Sequence, residues 1–208
     1  MESVLTSIRP KWVVKIASGE KTFDVRKTAP KLKPPFKCYI YCTKDENYKI
    51  APFRFIDGWY IKHYDNLSHY ANGCTANVGE TLNGKVIGEF ICDEIKEYPA
   101  ATIACAYFET NGAYVPEEGR FQQGTCLSYQ EMYDYSNGKT LYGWHISELK
   151  IYDKPKEISE FCKPCLFNYD CMFCKYHSCG NMFDPPSCDY EFEEIARPPQ
   201  SWCYVEEV

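Results

Sequence analysis

Hydrophobic positions near the start of the chain follow a helical spacing. Trp12, Val13 and Ile16 fall on one face at i, i+1, i+4 spacing, as in an amphipathic helix. Pro10 suits the first helical position, where its missing N–H removes no bond, and Gly19 suits the left-handed residue after a last turn. The pattern predicts a helix that begins at Pro10 and ends just before Gly19.

Beyond Gly19 the pattern changes to a period of two, which predicts a strand. Thr22, Asp24 and Arg26 fall on one face of it, because successive side chains of a strand point to opposite faces. Lys21 at the turn, followed by Asp24 and Arg26 on a common face, predicts a small polar pocket. The alternative is a solvated edge strand with a surface ion pair.

Three segments in the next part of the chain carry further patterns. Residues 37–43 predict a strand, and residues 83–95 open on an Asn-Gly turn signal and predict another. Residues 57–75, between them, have no clear period, which predicts a long loop. His63 and His69 lie there as candidate acid–base or phosphate-contacting groups, and the alternative for each is a solvated loop histidine.

The second half of the chain predicts one helix and two strands. Ser128 and Glu131 have the spacing of a capping box, which opens a helix through Tyr135. Residues 140–152 predict a strand, and the ending SWCYVEEV (201–208) predicts another.

Positive charge is concentrated in one segment. Residues 9–37 hold nine lysines and arginines against two acidic residues, a net charge of +7, whereas the whole chain carries −6. Such asymmetry is typical of a surface that faces phosphate or another anion. The overall acidity argues against a protein that coats duplex nucleic acid. A confined anionic ligand, a nucleotide or a short RNA, fits better.

Cysteine usage points to metal rather than to disulfides. No apolar run of secretory length begins the chain, and no stretch approaches the roughly 20 apolar residues of a membrane span. We therefore expect a cytoplasmic protein without a membrane partner. Disulfides are rare in that compartment, and the number of cysteines, thirteen, is odd.

Six of the cysteines cluster between residues 162 and 188. Two C-x2-C pairs lie within 13 residues, and such a spacer lets one tight turn aim both sulfur atoms at one ion. The spacing predicts a structural zinc ion, ahead of an iron–sulfur cluster. The favoured ligands are Cys165, Cys171, Cys174 and Cys188, with Cys162 and Cys179 as alternates.

The order of segments predicts that the cysteine-rich stretch is an insertion. It lies between two predicted strands and has few aliphatic residues for a core of its own. The chain therefore divides into a main body (1–155), a zinc-binding insertion (156–196) and a terminal strand that returns to the main body (197–208).

Two motifs at opposite ends of the chain carry a family resemblance. SIRPKWVVKIASGEKTFDVRK (7–27) resembles the opening motif of ASCH-domain proteins, a branch of the PUA-like superfamily. RPPQSWCYVEE (197–207) is similar to the ending of the longer phage and prophage ASCH proteins of unknown function. The resemblance implies an α+β fold, with a small β-barrel, helices at its mouth and a pocket floored by the motif strand. It also implies a role in RNA or nucleoside chemistry.

The first functional hypothesis is binding without turnover. In it the barrel mouth takes RNA, a nucleotide or a modified nucleoside, with cations on the phosphates and aromatic rings beside the base. The predicted ligand-binding residues are Ser7, Arg9, Trp12, Lys21, Thr22, Arg26, Lys27 and Trp144.

The second hypothesis is hydrolysis. One ASCH branch hydrolyses N4-acetylcytidine with a lysine, a threonine and a glutamate, and the resemblance carries the lysine to Lys21. Asp24 stands at the threonine position, and the later helix offers Glu131, or alternatively Asp134, as the candidate acid. Lys21 would assist proton transfer or polarise the carbonyl, and a carboxylate would activate water. Another ASCH protein has been associated with RNA cleavage, which leaves a ribonuclease as a further alternative.

Overall fold

The computed structural model describes residues 3–55, 58–63, 81–110, 121–164 and 195–207. Within them lie three α-helices, α1 (Pro10–Ala17), α2 (Ala100–Thr110) and α3 (Tyr129–Ser136). The strands of these ranges are β1 (Ser3–Ile8), β2 (Phe23–Arg26), β3 (Phe36–Cys42), β4 (Ile50–Phe55), β5 (Gly58–His63), β6 (Val86–Cys92), β7 (Ile95–Tyr98), β8 (Leu141–His145), β9 (Ser147–Lys156), β10 (Phe161–Cys162) and β11 (Trp202–Glu207). None of the described helices is both long and apolar enough to cross a membrane.

Most strands belong to one mixed sheet. Its order is β10-β11-β1-β3-β6-β9, in which β1 runs parallel to β3 and the other neighbours are antiparallel. A second, antiparallel sheet has the order β2-β8-β7, and β4 pairs with β5. Helices and a mixed sheet around common cores confirm the predicted α+β class.

The main core lies where α1 and the second sheet pack on the six-stranded sheet. Val13 and Ile16 of α1, Ile40 of β3 and Trp144 of β8 belong to it, and each is at most 1% exposed. Val25 of β2 packs in a separate core with α2 and α3. Apolar contacts therefore fix the segment from α1 to β2 at both of its ends.

Several predicted elements are confirmed. Helix α1 begins at Pro10, and Gly19 beyond its end has a φ of +77°. Strand β6 lies within its predicted range, β3 is offset from its predicted range by one residue, and the predicted strand at the end of the chain is β11, which pairs with β1. Helix α3 opens on the predicted capping box, in which the Ser128 hydroxyl accepts from the Glu131 backbone N–H.

Residues 140–152 form parts of two strands rather than one. Strand β8 pairs with β2 and β7, whereas β9 pairs with β6 in the six-stranded sheet. The chain changes sheets at Ile146, which lies between the two strands. From Tyr142 the apolar side chains fall on even positions up to Ile146, and from Leu149 to Ile151 on odd positions, so the alternation shifts by one residue just after this point.

Residues 57–75 were predicted as a loop, and part of that prediction is wrong. Residues 58–63 form β5, whose backbone pairs with β4. His63 is in this strand, and its ring stacks on Tyr48 with centroids 3.7 Å apart. His69 lies outside the described residues.

The first residues of the predicted insertion join the six-stranded sheet. Strand β9 continues to Lys156, a 3₁₀ turn follows at Ile158–Glu160, and β10 pairs with β11. Phe161 is fully buried against Tyr39 of β3, with ring centroids 4.8 Å apart. Since residues 165–194 are not among those described, the insertion as a unit stays a prediction.

Candidate functional site

A cleft of about 540 Å³ opens beside β2 and the start of α1. Its walls come from the residues around the start of α1, from β2, from α3 and from Gln200 near the end of the chain. The sequence predicts a polar pocket at Lys21, Asp24 and Arg26, and all three line this cleft. Glu131 of α3 lines it as well. Segments far apart in sequence thus meet around one cavity.

The floor of the cleft is an ion pair on β2. Arg26 Nε lies 2.7 Å from Asp24 Oδ2, and both side chains are 7% exposed. Arg26 Nη1 also donates to the carbonyl of Ser201 at 2.9 Å and approaches its hydroxyl at 3.4 Å. Although β2 is an edge strand, the pair is buried, so the alternative of a solvated surface pair is wrong.

Two polar atoms of this pair remain open for a further partner. Among the described residues, Arg26 Nε donates to Asp24 Oδ2, and Arg26 Nη1 donates to Ser201. Asp24 Oδ1, an acceptor, and Arg26 Nη2, a donor, have no partner there. A ligand group carrying one donor and one acceptor could therefore bind both atoms of this floor.

Lys21 is buried at the side of the cleft, with 3% of its surface exposed. Its Nζ donates to the carbonyl of Thr125, and its backbone N–H donates to the carbonyl of Lys15 at 2.9 Å. The ammonium group lies 5.1 Å from the centroid of the Trp12 ring. Lys21 therefore ties the end of α1 to the loop before α3 and brings a positive charge to the cleft.

The rim carries two more cations and one carboxylate. Arg9 is exposed and precedes α1 without a side-chain capping bond. Lys11 Nζ lies 4.2 Å from the Trp12 ring centroid and 3.9 Å from Glu131 Oε1. Glu131 Oε2 accepts from the Ser128 backbone N–H at 2.9 Å. One oxygen of Glu131 therefore serves the helix cap and the other faces the rim.

Tyr135 supplies an aromatic wall that the sequence reasoning missed. It lies one helical turn after Glu131 on α3, lines the cleft and is 37% exposed. Lys27 Nζ lies 4.8 Å from its ring centroid. Burial raises the pKa of its phenol. The guanidinium groups of Arg26 and Arg9 lower this pKa, and the carboxylate of Asp24 raises it. Tyr135 follows Glu131 by four residues, so the sequence already placed both on the same face of the predicted helix.

The two terminal motifs meet at the cleft. The Ser7 backbone N–H donates to the carbonyl of Ser201 at 2.9 Å, and the Ser7 hydroxyl donates to the carbonyl of Pro199 at 2.6 Å. Gln200, between these two partners, lines the cleft. The C-terminal motif therefore closes one side of a site whose floor comes from the N-terminal motif.

Crystal structures of the ASCH protein of Zymomonas mobilis are similar to this chain. One variant of that protein matches at 14% identity over 99% of this chain and 91% of its own, with a TM-score of 0.49. A structure titled simply as ASCH matches at 15% identity over 98% of this chain and 87% of its own, with a TM-score of 0.47. No protein-family model and no curated protein matches the chain. These identities and scores are too low for the likeness to support a function.

The predicted ligand-binding residues divide between the cleft and other places. Those that line it are Ser7, Arg9, Trp12, Lys21 and Arg26. Lys27 is exposed beside the cleft, against Tyr135. Thr22 donates its backbone N–H to the carbonyl of Gly124 at 2.8 Å. A Cβ on Gly124 would collide with the Thr22 side chain, so this threonine packs against a loop rather than facing the cavity.

Trp144 is a correction to the predicted set. Its side chain is 0% exposed in the core, with ring centroids 5.8 Å from Phe36 and 5.6 Å from Trp202. An indole in this position cannot border a base. The prediction failed because β8 is covered on the face that carries Trp144, which an isolated strand pattern does not reveal.

Most of the predicted zinc ligands cannot be placed. Cys165, Cys171, Cys174, Cys188 and the alternate Cys179 lie outside the described residues. The other alternate, Cys162, is buried in β10 with its thiol 3.7 Å from the carbonyl of Glu206. Burial raises the pKa of this thiol. Zinc binding stays a prediction.

Proposed function

We propose that the cleft binds a nucleotide, free or within RNA, and that the chain is an ASCH protein with a PUA-like barrel. The observation that carries the proposal is a nucleotide-sized cavity in which cations, a buried donor–acceptor pair and an aromatic wall converge. The resemblance of both terminal motifs, including that to phage and prophage members, supports the same assignment. Their direct contact at the cleft agrees with a shared role.

The charge of the cavity favours an anion. Four cationic side chains line it, Arg9, Lys11, Lys21 and Arg26, against the carboxylates of Asp24 and Glu131. Asp24 neutralises Arg26, which leaves the excess positive charge at the side and the rim. Converging cations in a partly enclosed cleft raise the local concentration of anionic ligands.

The floor suits a neutral polar group rather than phosphate. A phosphate placed there would face the carboxylate of Asp24, which repels it. The open Oδ1 of Asp24 and Nη2 of Arg26 instead match an adjacent donor and acceptor on the edge of a nucleobase. Pairing that edge would also give these two polar atoms of Asp24 and Arg26 hydrogen-bond partners.

This arrangement orients the ligand with its base inward and its phosphate at the rim. Arg9 and Lys11 are exposed there and reach solvent, so they can meet phosphate oxygens with charge-assisted hydrogen bonds. The Tyr135 ring offers a partly exposed face for stacking the base. The sequence suggested that Arg26 contacts phosphate. In our proposal Arg26 instead recognises the edge of the base.

Removing the rim cations tests the proposal. We expect Arg9→Gln and Lys11→Gln each to weaken binding of a nucleoside monophosphate roughly tenfold, since a hydrogen bond to a charged group contributes about 1.5–3 kcal/mol. Isothermal titration calorimetry with the four common ribonucleoside monophosphates measures this. Both side chains are exposed, so folding should be retained.

Lys15→Gln is the matched control. Lys15 lies on the same helix, and among the described residues its side chain pairs with the exposed Glu20, at 3.6 Å. It does not belong to the cleft lining. Its substitution should leave affinity unchanged. Equal titration curves for the parent protein and both rim variants would remove the proposed phosphate contacts.

A hydrolase is the second candidate, because Lys21, Asp24 and Glu131 line one cleft. Water would add to the acetyl carbonyl of N4-acetylcytidine while Glu131 Oε1 takes its proton. The Lys21 ammonium would polarise the carbonyl oxygen. Cleavage of the C–N bond, with return of the proton to the leaving amine, releases acetate and cytidine.

Chromatography of N4-acetylcytidine incubated with the protein tests this candidate. If it is an enzyme, we expect cytidine to form, and Glu131→Gln to abolish turnover while retaining the fold, because glutamine can also complete a capping box. Absence of cytidine at high protein concentration, or full activity of Glu131→Gln, rules out this mechanism and leaves binding.

A further inference from the structure

Helix α2 carries apolar residues on the face that it exposes. Of its 11 residues only Ile103 is fully buried, and Glu109 is the one charged residue. Its exposed residues are Ala101, Thr102, Cys105, Phe108 and Glu109. At 3.6 residues per turn these five lie on one face of the helix, centred on Cys105 and opposite Ile103. We call this surface the α2 face.

Phe108 is the most exposed large apolar side chain among the described residues, at 67%. Its ring is held in place by aromatic neighbours, because its centroid lies 5.2 Å from that of Tyr107 and 5.8 Å from that of Tyr133. Tyr107 in turn stacks on Tyr133, with centroids 4.3 Å apart. An ordered ring loses little conformational freedom when it binds. Such a ring on a surface with almost no charge is typical of a protein interface.

The single charge of the α2 face is at the unfavourable end of the helix. Glu109 lies in the last turn, where the helix dipole is negative, and no basic residue accompanies it there. The first turn, where the dipole favours an anion, has no acidic residue. Glu97, shortly before the helix, points away from α2, because its neighbour Tyr98 packs in the core with Ile103 and successive side chains of a strand point to opposite faces. The start of α2 is therefore a place for a carboxylate from outside.

We infer that the α2 face is the contact surface of a homodimer, in which it packs antiparallel on the same face of a second copy. In a two-fold arrangement centred on Cys105, Glu109 of each copy meets the first turn of the other copy's α2, which corrects its unfavourable position. Phe108 then lies over Ala101 and Thr102 of the partner subunit, whose small side chains leave room for the ring. A parallel pairing would instead place the two Glu109 carboxylates side by side.

The dimer is expected to be weak and dependent on concentration. A helix of 11 residues is about 16 Å long, so the α2 face is smaller than the roughly 800 Å² per partner of a standard interface. Interfaces below that size belong to transient association. The inference does not depend on the ligand of the cleft, because no residue of α2 lines the cleft.

Sedimentation velocity from low micromolar to submillimolar protein concentration tests the inference. The parent protein should pass from monomer to dimer as its concentration rises. Phe108→Ser should remain monomeric throughout, because it removes the ring that fills the partner's face. Tyr60→Ser is the matched control, since it removes a ring that is 42% exposed on β5, and it should associate as the parent protein does.

Reversing the charge of Glu109 separates association from folding. Glu109→Lys should raise the dissociation constant of the dimer about tenfold, because an attraction to a helix terminus becomes a repulsion in both copies. Its unfolding temperature should not fall, since lysine suits the last turn of its own helix. The charge-matched control is Glu46→Lys, which reverses an exposed carboxylate between β3 and β4 and should leave the dissociation constant unchanged.

Cys105 reports the position of the two-fold axis. It is exposed, so a short bismaleimide should link the two copies through it, peptide mapping by mass spectrometry should identify that linkage, and Cys105→Ser should abolish it. A monomer at every concentration, equal effects of Phe108→Ser and Tyr60→Ser, unchanged association of Glu109→Lys, or a dimer without the Cys105 linkage would each overturn the inference. Binding of a persistent monomer to phosphatidylcholine vesicles through Phe108 would overturn it in favour of a membrane surface.

Discussion

Arg26→Ala is expected to lower the free energy of unfolding by about 3–5 kcal/mol, the cost of breaking a buried ion pair by removing one partner. The reason is the environment of Asp24, whose side chain is 7% exposed and whose Oδ2 accepts from Arg26 Nε at 2.7 Å. Without the guanidinium a carboxylate remains buried and unpaired. The substitution also removes one of the two hydrogen bonds to the carbonyl of Ser201, the one that Arg26 donates at 2.9 Å, and leaves the one from the Ser7 backbone N–H. Urea denaturation followed by circular dichroism measures the change.

A double-variant cycle separates the ion pair from simple truncation. Asp24→Asn with Arg26→Gln leaves no unpaired charge, so we expect it to be more stable than Arg26→Ala alone. A loss below about 1 kcal/mol for Arg26→Ala, the range of a surface pair, would show that the pair is solvated after all. The same cycle bears on function, because both residues form the proposed floor for a base.

The second large effect is expected at Trp144. Replacing it with alanine should cost about 3–5 kcal/mol, the usual range for a large aromatic residue removed from a core. Its ring is completely buried between Phe36 of β3 and Trp202 of β11. The cavity would open between the two sheets, and the unfolding midpoint in urea should fall accordingly.

Trp144→Phe provides the control for that experiment. Phenylalanine keeps most of the apolar volume and removes the indole N–H, which has no hydrogen-bond partner within the described residues. Since a buried unsatisfied donor costs about 1–3 kcal/mol, its removal should offset part of the lost packing. Affinity for nucleotides should match that of the parent protein. Loss of affinity in Trp144→Phe without a change in stability would restore Trp144 to the ligand site.

The buried pair of Asp24 and Arg26 links the fold to the proposed activity. Arg26 connects the N-terminal motif to Ser201 of the C-terminal motif, and in the proposed function its remaining nitrogen and Asp24 Oδ1 bind the ligand. A single side chain therefore holds the two sides of the cleft together and, in the proposed function, also contacts the ligand. Substitutions at the floor would therefore change stability as well as binding, so substitutions at the rim are better probes of binding.

Local features of this protein were determined by the sequence itself. The helix bounded by Pro10 and Gly19, the capping box at Ser128 and the common face of Asp24 and Arg26 all depend on spacings within one turn or one strand. The excess of positive charge in residues 9–37 is likewise a property of composition. Such features survive any arrangement of the elements, so they could be predicted without it.

Only the tertiary structure decided what these features face. Tyr135 reaches the cleft because α3 packs beside β2, and Trp144 is buried because α1 and the six-stranded sheet cover its strand face. The contact of Arg26 with Ser201 joins residues 175 positions apart. Periodicity states which side chains share a face, but whether that face meets water, a core or a cavity depends on elements distant in the chain.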